Sequence, residues 1–335
     1  MSDAVIAVEA SGLRKTFGDT VAVDDVSFAI EAGRSLAMLG ANGAGKTTTM
    51  RMVTTTLKPD AGTIAVAGID ALESPLRARQ QLGLVAQRLL VDPDMTGREH
   101  LLHFGRLCHL PRSRLRAHAA EMLELFRLSD VGDRLARHYS GGMQRRLDIA
   151  IAMVHSPPVL VLDEPTVGLD LESRLQLWDV LRGLMASGVA ILYTTQIFDD
   201  VKALEGDVMF IAKGSVRRRT VVGEFDDAVP SRITVRPVTP IAPALLLDIV
   251  GSLLERVTLV EPPGVALHGD CPTDVDPQDR LVELIGRFNE RSVELSDVEL
   301  SSQPPLESIY LDSIRSAAAS DDASPTDSPG DGGSS

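Results

Sequence analysis

The chain has 335 residues, 44% of them hydrophobic, and a formal net charge of −14, which together predict a globular protein with a substantial core. This acidity argues against a nucleic-acid partner, because affinity for the phosphate backbone depends on clustered Lys and Arg side chains. No apolar run approaches the roughly 18 residues that span a bilayer, and residues 1–4 lack the basic region of a signal peptide, so we expect a cytoplasmic chain, soluble or peripheral.

The first predicted elements are two short strands, over residues 5–8 and 26–30, the second with alternating apolar positions. Phe17 lies between them. A single aromatic residue among strands is by default part of the core. Stacking of Phe17 on a nucleotide base is the alternative that the local pattern favours less.

The next stretch matches the phosphate-binding pattern G-x-x-x-x-G-K-[ST] at every fixed position. A predicted buried strand, Ser35–Leu39, precedes it and a predicted helix over 47–56 follows it, which is the setting that the pattern requires. Its glycines let successive N–H groups face an anion, and Lys46 adds a charge toward the outer phosphates. Thr47 is placed to ligate Mg²⁺ and Thr48 to bond a phosphate oxygen. The stretch therefore predicts a nucleoside triphosphate site with these contacts: Gly40, Asn42, Gly43, Ala44, Gly45, Lys46, Thr47 and Thr48.

A turn over 58–62 and a short strand over 83–87 follow, the strand ending in Gln87, whose side chain alone indicates little. The pattern then becomes helical over about residues 88–150, with a capping box at Thr96–Glu99 and a second helix over 112–128. Four possible metal ligands lie in this region without the spacing of a metal site, and we expect solvated side chains there: His100, His103, Cys108 and His109.

Ser140, Gly141 and Gly142 open another predicted helix. The N-terminus of a helix binds anions, but taken alone these residues are better explained as an ordinary N-cap and turn. Two carboxylates, Asp163 and Glu164, follow the apolar strand that begins at residue 159. Ionised carboxylates at a buried strand end are costly unless they bind a cation or a partner.

With a phosphate loop upstream, Asp163 is predicted to hold Mg²⁺ and Glu164 to act as general base toward the attacking water. Residues 168–170 then form a predicted turn that ends in Asp170. A further buried strand over 189–193 delivers Thr194, Thr195 and Gln196 to the same sheet edge, where open α/β sheets bind ligands.

In this order, the motifs resemble those of the nucleotide-binding subunit of an ATP-binding cassette (ABC) transporter, over residues 5–223. The resemblance implies an α/β fold, an ABC-type P-loop NTPase cassette over 1–223 with a helical insertion at about 88–150. It implies that ATP is bound and hydrolysed with Mg²⁺. Two cassettes would pair head to tail, as a homodimer or with a similar partner, and would power a membrane permease on a separate chain. The protein would then be peripheral on the inner face of the cell membrane.

The resemblance also implies roles for residues that the patterns leave open. Phe17 becomes the residue that stacks on adenine, and Gln87 becomes a contact for Mg²⁺ and water. Asp170 belongs to the aspartate loop. The signature motif, whose serine and glycines contact the ATP of the other copy, corresponds to Ser140, Gly141 and Gly142.

Two positions depart from the family pattern. Met143 stands where the signature motif usually has Gln, and Gln196 replaces the switch histidine. Gln196 can donate a neutral hydrogen bond to the γ-phosphate but cannot carry a charge, and neutral bonds are about half as strong as charge-assisted ones. We therefore expect slow hydrolysis, with Glu164 and Lys46 sufficient for turnover and Gln196 reporting the γ-phosphate.

The stretch Thr194–Gln196 and the two arginines after the signature are similar to the daunorubicin-resistance type of ABC subunit, which implies export of a drug, an antibiotic or a lipid. Two alternatives remain open. One is a soluble ABC ATPase that acts on ribosomes or DNA, although the single motif set, the short insertion and the acidic charge disfavour it. The other is a regulatory module that closes on ATP and barely hydrolyses it, an alternative that Gln196 keeps open.

The composition changes after residue 223, and residues 230–314 predict a small ferredoxin-like accessory domain with the order β-α-β-β-α-β. Residues 306–311 resemble the short closing helix found at the end of such exporter subunits. We expect a dimerisation or regulatory role there. Cys271 is predicted to be a loop residue rather than a nucleophile, with no disulfide to Cys108. Residues 316–335 are rich in Ser, Gly, Pro and Asp and predict a disordered acidic tail.

Overall fold

The computed structural model describes residues 5–221, 231–251, 253–260, 266–272 and 275–301. The chain divides into two compact units, the first with the described residues up to 221 and the second with those from 231 to 301. The predicted domain boundaries at 223, 230 and 314 lie outside the described residues and stay predictions. So do the closing helix at 306–311 and the tail at 316–335.

The first unit is an α/β unit, and within the described residues its elements follow one another in this chain order: β1 (Ile6–Phe17), β2 (Thr20–Glu31), β3 (Ser35–Leu39), α1 (Lys46–Val53), β4 (Ala61–Val66), β5 (Ile69–Asp70), α2 (Pro75–Arg79), β6 (Leu82–Val85), α3 (Gly97–Leu107), α4 (Arg112–Leu125), α5 (Gly141–Ala152), β7 (Val159–Asp163), α6 (Leu171–Ala186), β8 (Ala190–Thr195), α7 (Phe198–Leu204), β9 (Asp207–Ala212) and β10 (Ser215–Val221). Two 3₁₀ turns, Ser129–Val131 and Ala136–His138, join α4 to α5.

Two sheets build this unit. The larger has six strands in the order β10-β9-β3-β8-β7-β6, and all neighbours from β9 to β6 pair in parallel. The smaller has four antiparallel strands in the order β2-β1-β4-β5. Because β3, β8, β7 and β6 are parallel neighbours, the residues that follow them meet at one sheet edge.

The core of the unit explains why these strands form where they do. Every residue of Ser35–Leu39 is buried, as expected of a central parallel strand covered on both faces. One apolar cluster joins both sheets to α1 through side chains such as Val8, Ile64, Met52 and Val161. The phosphate loop between β3 and α1 is therefore held at both ends by packed elements.

The first strand differs from its prediction. Residues 5–8 were expected to be a short strand, but β1 extends from Ile6 to Phe17 and therefore includes Phe17. Irregularities in its pairing with β2, one of them next to Gly12 at φ 60°, interrupt the apolar alternation without ending the strand. Phe17 is 50% exposed, so its default interpretation as a core residue is wrong.

The helical region contains the predicted capping box: Thr96 Oγ1 accepts from the N–H of Glu99, and the Glu99 carboxylate accepts from the N–H of Thr96. The expectation that His100 is solvated is wrong, because His100 is 1% exposed. Its Nδ1 lies 2.8 Å from the carbonyl oxygen of Thr96, and its Nε2 lies 2.8 Å from the N–H nitrogen of Asp92, from which it accepts. The imidazole therefore fixes the segment that leads into α3.

The second unit has the predicted order of elements: β11 (Arg232–Pro237), α8 (Pro243–Val250), β12 (Glu255–Val260), β13 (Ala266–Asp270), α9 (Pro277–Glu290) and β14 (Leu295–Ser301). Its antiparallel sheet has the order β12-β13-β11-β14, and its core includes Val235, Leu246 and Phe288. Helix α8 ends after Val250, where Gly251 adopts φ 48°, a backbone conformation that favours glycine.

Candidate functional site

The phosphate loop adopts a backbone conformation that depends on its glycines. Gly43 and Gly45 have φ angles of 79° and 105°, which other residues rarely adopt. A Cβ atom on Gly45 would lie 2.5 Å from the carbonyl oxygen of Ala22, and one on Gly40 would lie 2.3 Å from that of Ile211. Glycine is therefore required at both ends of the loop for the backbone to pass between its neighbours. Helix α1 begins at Lys46, immediately after the loop.

Lys46 lies inside this loop with only 6% of its surface exposed. Its Nζ donates to the carbonyl oxygens of Gly40 and Ala41, at 2.5 and 3.0 Å. Burial lowers the pKa of Lys46 below its ordinary value, while the charges of Glu164 and Asp163 act in the opposite direction. The ammonium group is thus close enough to the two carboxylates to share one electrostatic environment with them.

A cleft of about 190 Å³ opens at this sheet edge. It brings together the phosphate loop, the end of β7 and the segment after β6, which are far apart in the sequence. The residues that line it are Ala22, Asn42, Gly43, Ala44, Gly45, Lys46, Thr47, Thr48, Gln87, Asp163 and Glu164.

Glu164 lies at the centre of the polar contacts in this cleft. It follows β7 with φ 48°, a left-handed conformation that is costly for a residue with a side chain. Its N–H donates to Thr194 Oγ1 at 3.0 Å, and that hydroxyl donates to Asp163 Oδ1 at 2.6 Å. Thr194, at the end of β8, therefore fixes both acidic residues relative to the neighbouring strand.

Two glutamine side chains hold the Glu164 carboxylate. Gln87 Nε2 donates to Glu164 Oε2 at 3.2 Å. Gln196 Nε2 donates to Glu164 Oε1 at 2.7 Å and to Asn42 Oδ1 at 3.0 Å. Gln196 does not line the cleft, yet it connects the phosphate loop to the acidic strand at the cleft's edge.

The donor set of the cleft fits Mg²⁺. Thr47 and Gln87 are exposed and Asp163 is half-buried, all three on the cleft wall. Within the described part of the chain, the bond from Thr194 is the one hydrogen bond of the Asp163 side chain, so Asp163 Oδ2 remains as a ligand. One or two carboxylates with hydroxyl and phosphate oxygens are the ligands that Mg²⁺ takes in such sites.

A second group of predicted site residues lies away from the cleft, where α5 and α6 begin. Ser140 Oγ caps α5 by accepting from the N–H of Met143 at 3.2 Å, and Asp170 Oδ1 caps α6 by accepting from the N–H of Ser173 at 2.7 Å. Gly142 packs so closely on Ser173 that a Cβ would lie 2.3 Å from its Oγ. The two helix N-termini are therefore adjacent.

Ser140, Gly141 and Asp170 are exposed, and none of them lines the cleft, nor does Phe17. Phe17 lies in the same β1–β2 pair as Ala22, which does line the cleft, and Lys15 Nζ lies 5.8 Å from the centre of its ring. The structure thus separates the predicted site residues into one group at the cleft and another on an exposed surface.

Arg145 contributes to the site and was not predicted from the sequence. Its guanidinium donates to the carbonyl oxygens of Ala86 and Gln87, at 3.0 and 3.3 Å, and lies 3.6 Å from the carboxylate of Asp148. The Asp148 Oδ1 atom accepts from the N–H of Leu90 at 3.1 Å. Helix α5 therefore fixes the backbone on both sides of the segment that carries Gln87. The sequence feature that could have indicated this role is the pair Arg145 and Asp148, three residues apart in a helix that is otherwise largely apolar after Arg146.

Comparisons with known proteins agree with this geometry. The sequence profile of the family described as ABC transporter matches residues 23–167. The chain is 36% identical over 317 residues to the daunorubicin resistance ATP-binding protein DrrA3 of Streptomyces coeruleorubidus, covering 93% of this chain and 96% of the relative. It is 42% identical over 213 residues to the Nod factor export ATP-binding protein I of Ralstonia nicotianae, covering 64% of this chain and 66% of that relative.

Solved structures share the fold. One is a dimeric ATP-binding cassette in a post-hydrolysis state, bound to ADP and Pi, with a TM-score of 0.57 and 22% identity over 64% of this chain and 98% of that one. Another is cbiO1 of Clostridium perfringens, part of the ABC transporter complex cbiONQ, with a TM-score of 0.59 and 24% identity over 64% and 88% of the two chains. The predicted α/β cassette fold is confirmed.

Proposed function

Because this chain belongs to the ABC transporter family, as one of its ATP-binding and ATP-hydrolysing subunits, we propose that it powers a membrane permease on a separate chain and that the cargo is a drug, an antibiotic or a lipid. The daunorubicin-resistance and Nod factor export relatives support the choice of an exporter. Within the described residues, no helix is long and apolar enough to cross a membrane. The chain would lie at the inner face of the cell membrane through its contact with the permease.

The observation that supports ATP hydrolysis as the source of this power is the meeting of the phosphate loop with Glu164 in one cleft. Backbone N–H groups of the loop and the N-terminus of α1 would bind the β- and γ-phosphates. Lys46 would then exchange its bonds to Gly40 and Ala41 for bonds to phosphate oxygens, adding a full positive charge where negative charge develops.

Glu164 would accept a proton from the attacking water. Its half-buried carboxylate is already oriented by Gln87 and Gln196, which is the kind of positioning that a general base needs. Both glutamines donate through neutral amides, so neither of them competes with Glu164 for the proton of the water. The Gln196 amide nitrogen, which donates to Asn42 Oδ1 in the free chain, would also donate a hydrogen bond to the γ-phosphate.

Mg²⁺ would be held by Thr47 Oγ1, Asp163 Oδ2 and the Gln87 side chain. When bound, the ion neutralises charge on the β- and γ-phosphate oxygens. The chain's own part is to orient the ligands: Thr194 fixes Asp163, and Arg145 fixes the backbone of Gln87.

A second copy, or a similar cassette, would complete the site. Ser140 and Gly141 are exposed and begin α5 apart from the chain's own cleft, with the buried Gly142 next in the chain and Asp170 beside them. The N-terminus of α5 could bind the γ-phosphate held by the other copy in a head-to-tail dimer. Phe17, half exposed on the hairpin next to the cleft, would stack on the adenine.

One specific observation favours a second candidate function, a slow ATP switch. Each oxygen of the Glu164 carboxylate accepts a hydrogen bond from a glutamine, and these two bonds compete with a water molecule for the base. In this alternative the chain closes on ATP, and hydrolysis waits for a signal that moves Gln87 or Gln196. Comparing turnover by the free chain with turnover by its complex with the permease separates the two.

The export function can be tested in the organism that carries the gene. Deletion of the gene should raise the intracellular accumulation of an anthracycline such as daunorubicin, and the wild-type gene should restore efflux. The Glu164→Gln variant, produced at the same level, should not restore it. Equal accumulation with and without the gene, measured over several compound classes, would contradict a role in drug export.

A further inference from the structure

A buried carboxylate lies behind the cleft and takes no part in the function described above. Asp200, near the start of α7, is 1% exposed. Its Oδ2 accepts from Thr166 Oγ1 and from Thr195 Oγ1, each at 2.6 Å, and its Oδ1 accepts from Trp178 Nε1 at 3.0 Å. Three donors therefore converge on one carboxylate, and an indole can only donate.

These three donors come from three segments that carry proposed site residues. Thr166 lies in the loop that follows Glu164, and Thr195 immediately precedes Gln196. Trp178 lies on α6, the helix that Asp170 caps. Asp200 thus connects the loop after Glu164, the end of β8 and α6, with one hydrogen bond to each.

Ordinary helix capping does not account for this arrangement. An acidic side chain in the first turn of a helix usually bonds the free N–H groups of that turn. The described bonds of the Asp200 carboxylate instead all run to side chains of other elements. Burial raises the pKa of Asp200, against the hydrogen bonds from Thr166, Thr195 and Trp178, and with the charge of Arg174 also opposing it. A carboxylate kept in such a costly place indicates a positional role.

The Thr195 hydroxyl extends the connection toward the cleft. While it donates to Asp200, it accepts from the N–H of Ile197 at 2.9 Å, on the far side of Gln196. The backbone on both sides of Gln196 is therefore tied to the carboxylate. Movement of Asp200 or loss of the Thr195 hydroxyl would change the direction in which the Gln196 amide points.

We propose that Asp200 is a positioning residue for ATP hydrolysis, which holds Gln196 and the loop after Glu164 in one fixed relation through Thr195 and Thr166. The inference rests on the proposed ATPase function and deepens it. Asp200 touches neither the nucleotide nor the water; it acts through its partners.

The chain contains a natural reporter for this group of bonds. Trp178 is its only tryptophan, is 6% exposed, and bonds directly to Asp200. The Arg174 guanidinium lies 5.9 Å from the centre of the Trp178 ring system. A change at Gln196 that is transmitted to Asp200 should therefore alter the fluorescence of a single, identified side chain.

The first part of the experiment uses steady-state ATP hydrolysis by the full chain. Thr195→Val should lower kcat about fivefold, as much as removal of the neutral hydrogen bond of Gln196, which contributes about 1 kcal/mol, with KM for ATP unchanged. Thr195→Ser, which restores the hydroxyl, should recover most of the rate. The matched control is Thr54→Val, another buried threonine whose hydroxyl bonds a backbone carbonyl, far from Asp200 in sequence and in no proposed contact with ATP. It should lose thermal stability without losing kcat.

The second part uses the fluorescence of Trp178. MgATP should shift the emission of the wild type, and Asp200→Asn should still bind a fluorescent ATP analogue but lose the shift. A Thr195→Val rate equal to wild type, or a rate loss that only parallels the loss of stability seen in Thr54→Val, would overturn the inference. So would the same fluorescence shift in Asp200→Asn and wild type. A wild type that binds ATP without turnover would contradict the proposed function instead, and the fluorescence comparison would then show only whether ATP binding is transmitted to Asp200.

Discussion

The side-chain amide nitrogen of Gln196 lies 2.7 Å from a carboxylate oxygen of Glu164. The same nitrogen lies 3.0 Å from the amide oxygen of Asn42, so one neutral group connects the proposed base to the phosphate loop. An imidazole at this place could carry a proton, whereas the amide of Gln196 cannot. Of these two side chains, only Glu164 can therefore accept a proton from the attacking water.

The first prediction concerns the size of the Gln196 contribution. Gln196→Ala should lower kcat only about fivefold, because a neutral hydrogen bond contributes about 1 kcal/mol. Steady-state hydrolysis of MgATP measures this, with Gln80→Ala, an exposed glutamine outside the cleft, as the control. Unchanged ATPase activity in Gln196→Ala would show that Gln196 does not even report the γ-phosphate.

The second prediction separates folding from dimer formation at the start of α5. Gly142→Ala should destabilise the chain by about 1–3 kcal/mol, the usual cost of overpacking, because its Cβ would lie 2.3 Å from Ser173 Oγ. Gly141→Ala meets no atom within 4 Å, so its thermal stability should be unchanged or slightly raised. ATP-dependent dimerisation and hydrolysis should nevertheless fall in Gly141→Ala.

Thermal unfolding and size-exclusion chromatography with ATP distinguish these effects. Because Gly141 has open space around it within its own chain, a loss of activity there points to a group from another chain. A Gly141→Ala variant that dimerises and hydrolyses ATP like wild type would argue against the head-to-tail arrangement.

The third prediction follows from the lowered pKa of Lys46. In the free chain burial lowers this pKa below the ordinary 10.5, and bound phosphates would raise it again. ATP binding should therefore take up protons at alkaline pH, and by linkage the affinity should fall as pH rises through the pKa of the free chain. Calorimetry in buffers of different ionisation enthalpy measures the uptake. Lys58→Arg should leave it unchanged, and its absence from wild type would be inconsistent with Lys46 at the phosphates.

The fourth prediction tests the stacking role of Phe17. Because Phe17 is 50% exposed, Phe17→Ala should cost little stability. ATP affinity should fall about 5- to 150-fold, corresponding to the roughly 1–3 kcal/mol of base–aromatic stacking. Fluorescent ATP titration measures it, and Val21→Ala on the neighbouring strand, whose residue is 39% exposed, is the matched control. Equal losses in both variants would point to a general disturbance of the hairpin.

The parts of the site that could be predicted from the sequence are those whose functional groups lie close together along the chain. The phosphate loop is contiguous, and Asp163 and Glu164 directly follow an apolar strand, so their meeting at one sheet edge could be predicted. The strands Ser35–Leu39 and Val159–Asp163, buried along most of their length, appear as predicted. A parallel sheet then places their carboxyl ends together.

The remaining features depend on contacts between distant segments. The Gln87–Glu164 bond joins residues 77 positions apart, and the Trp178–Asp200 bond joins residues 22 apart, so no local pattern predicts either. The extent of β1 was missed because its irregular pairing breaks the alternation of apolar residues. The burial of His100 was missed because its partner Asp92 lies outside the helix that the capping box marks.

The measurement that tests the central claim most directly is Mg²⁺-dependent ATP hydrolysis by the purified full chain, beside Glu164→Gln, with dimerisation followed in the same samples. Loss of the general base should lower hydrolysis about 10²- to 10⁴-fold, and the variant should accumulate as an ATP-bound dimer. The exposed Glu124→Gln on α4 is the control and should match wild type. Hydrolysis by Glu164→Gln at the wild-type rate, or no ATP-dependent dimer in any sample, would contradict the account.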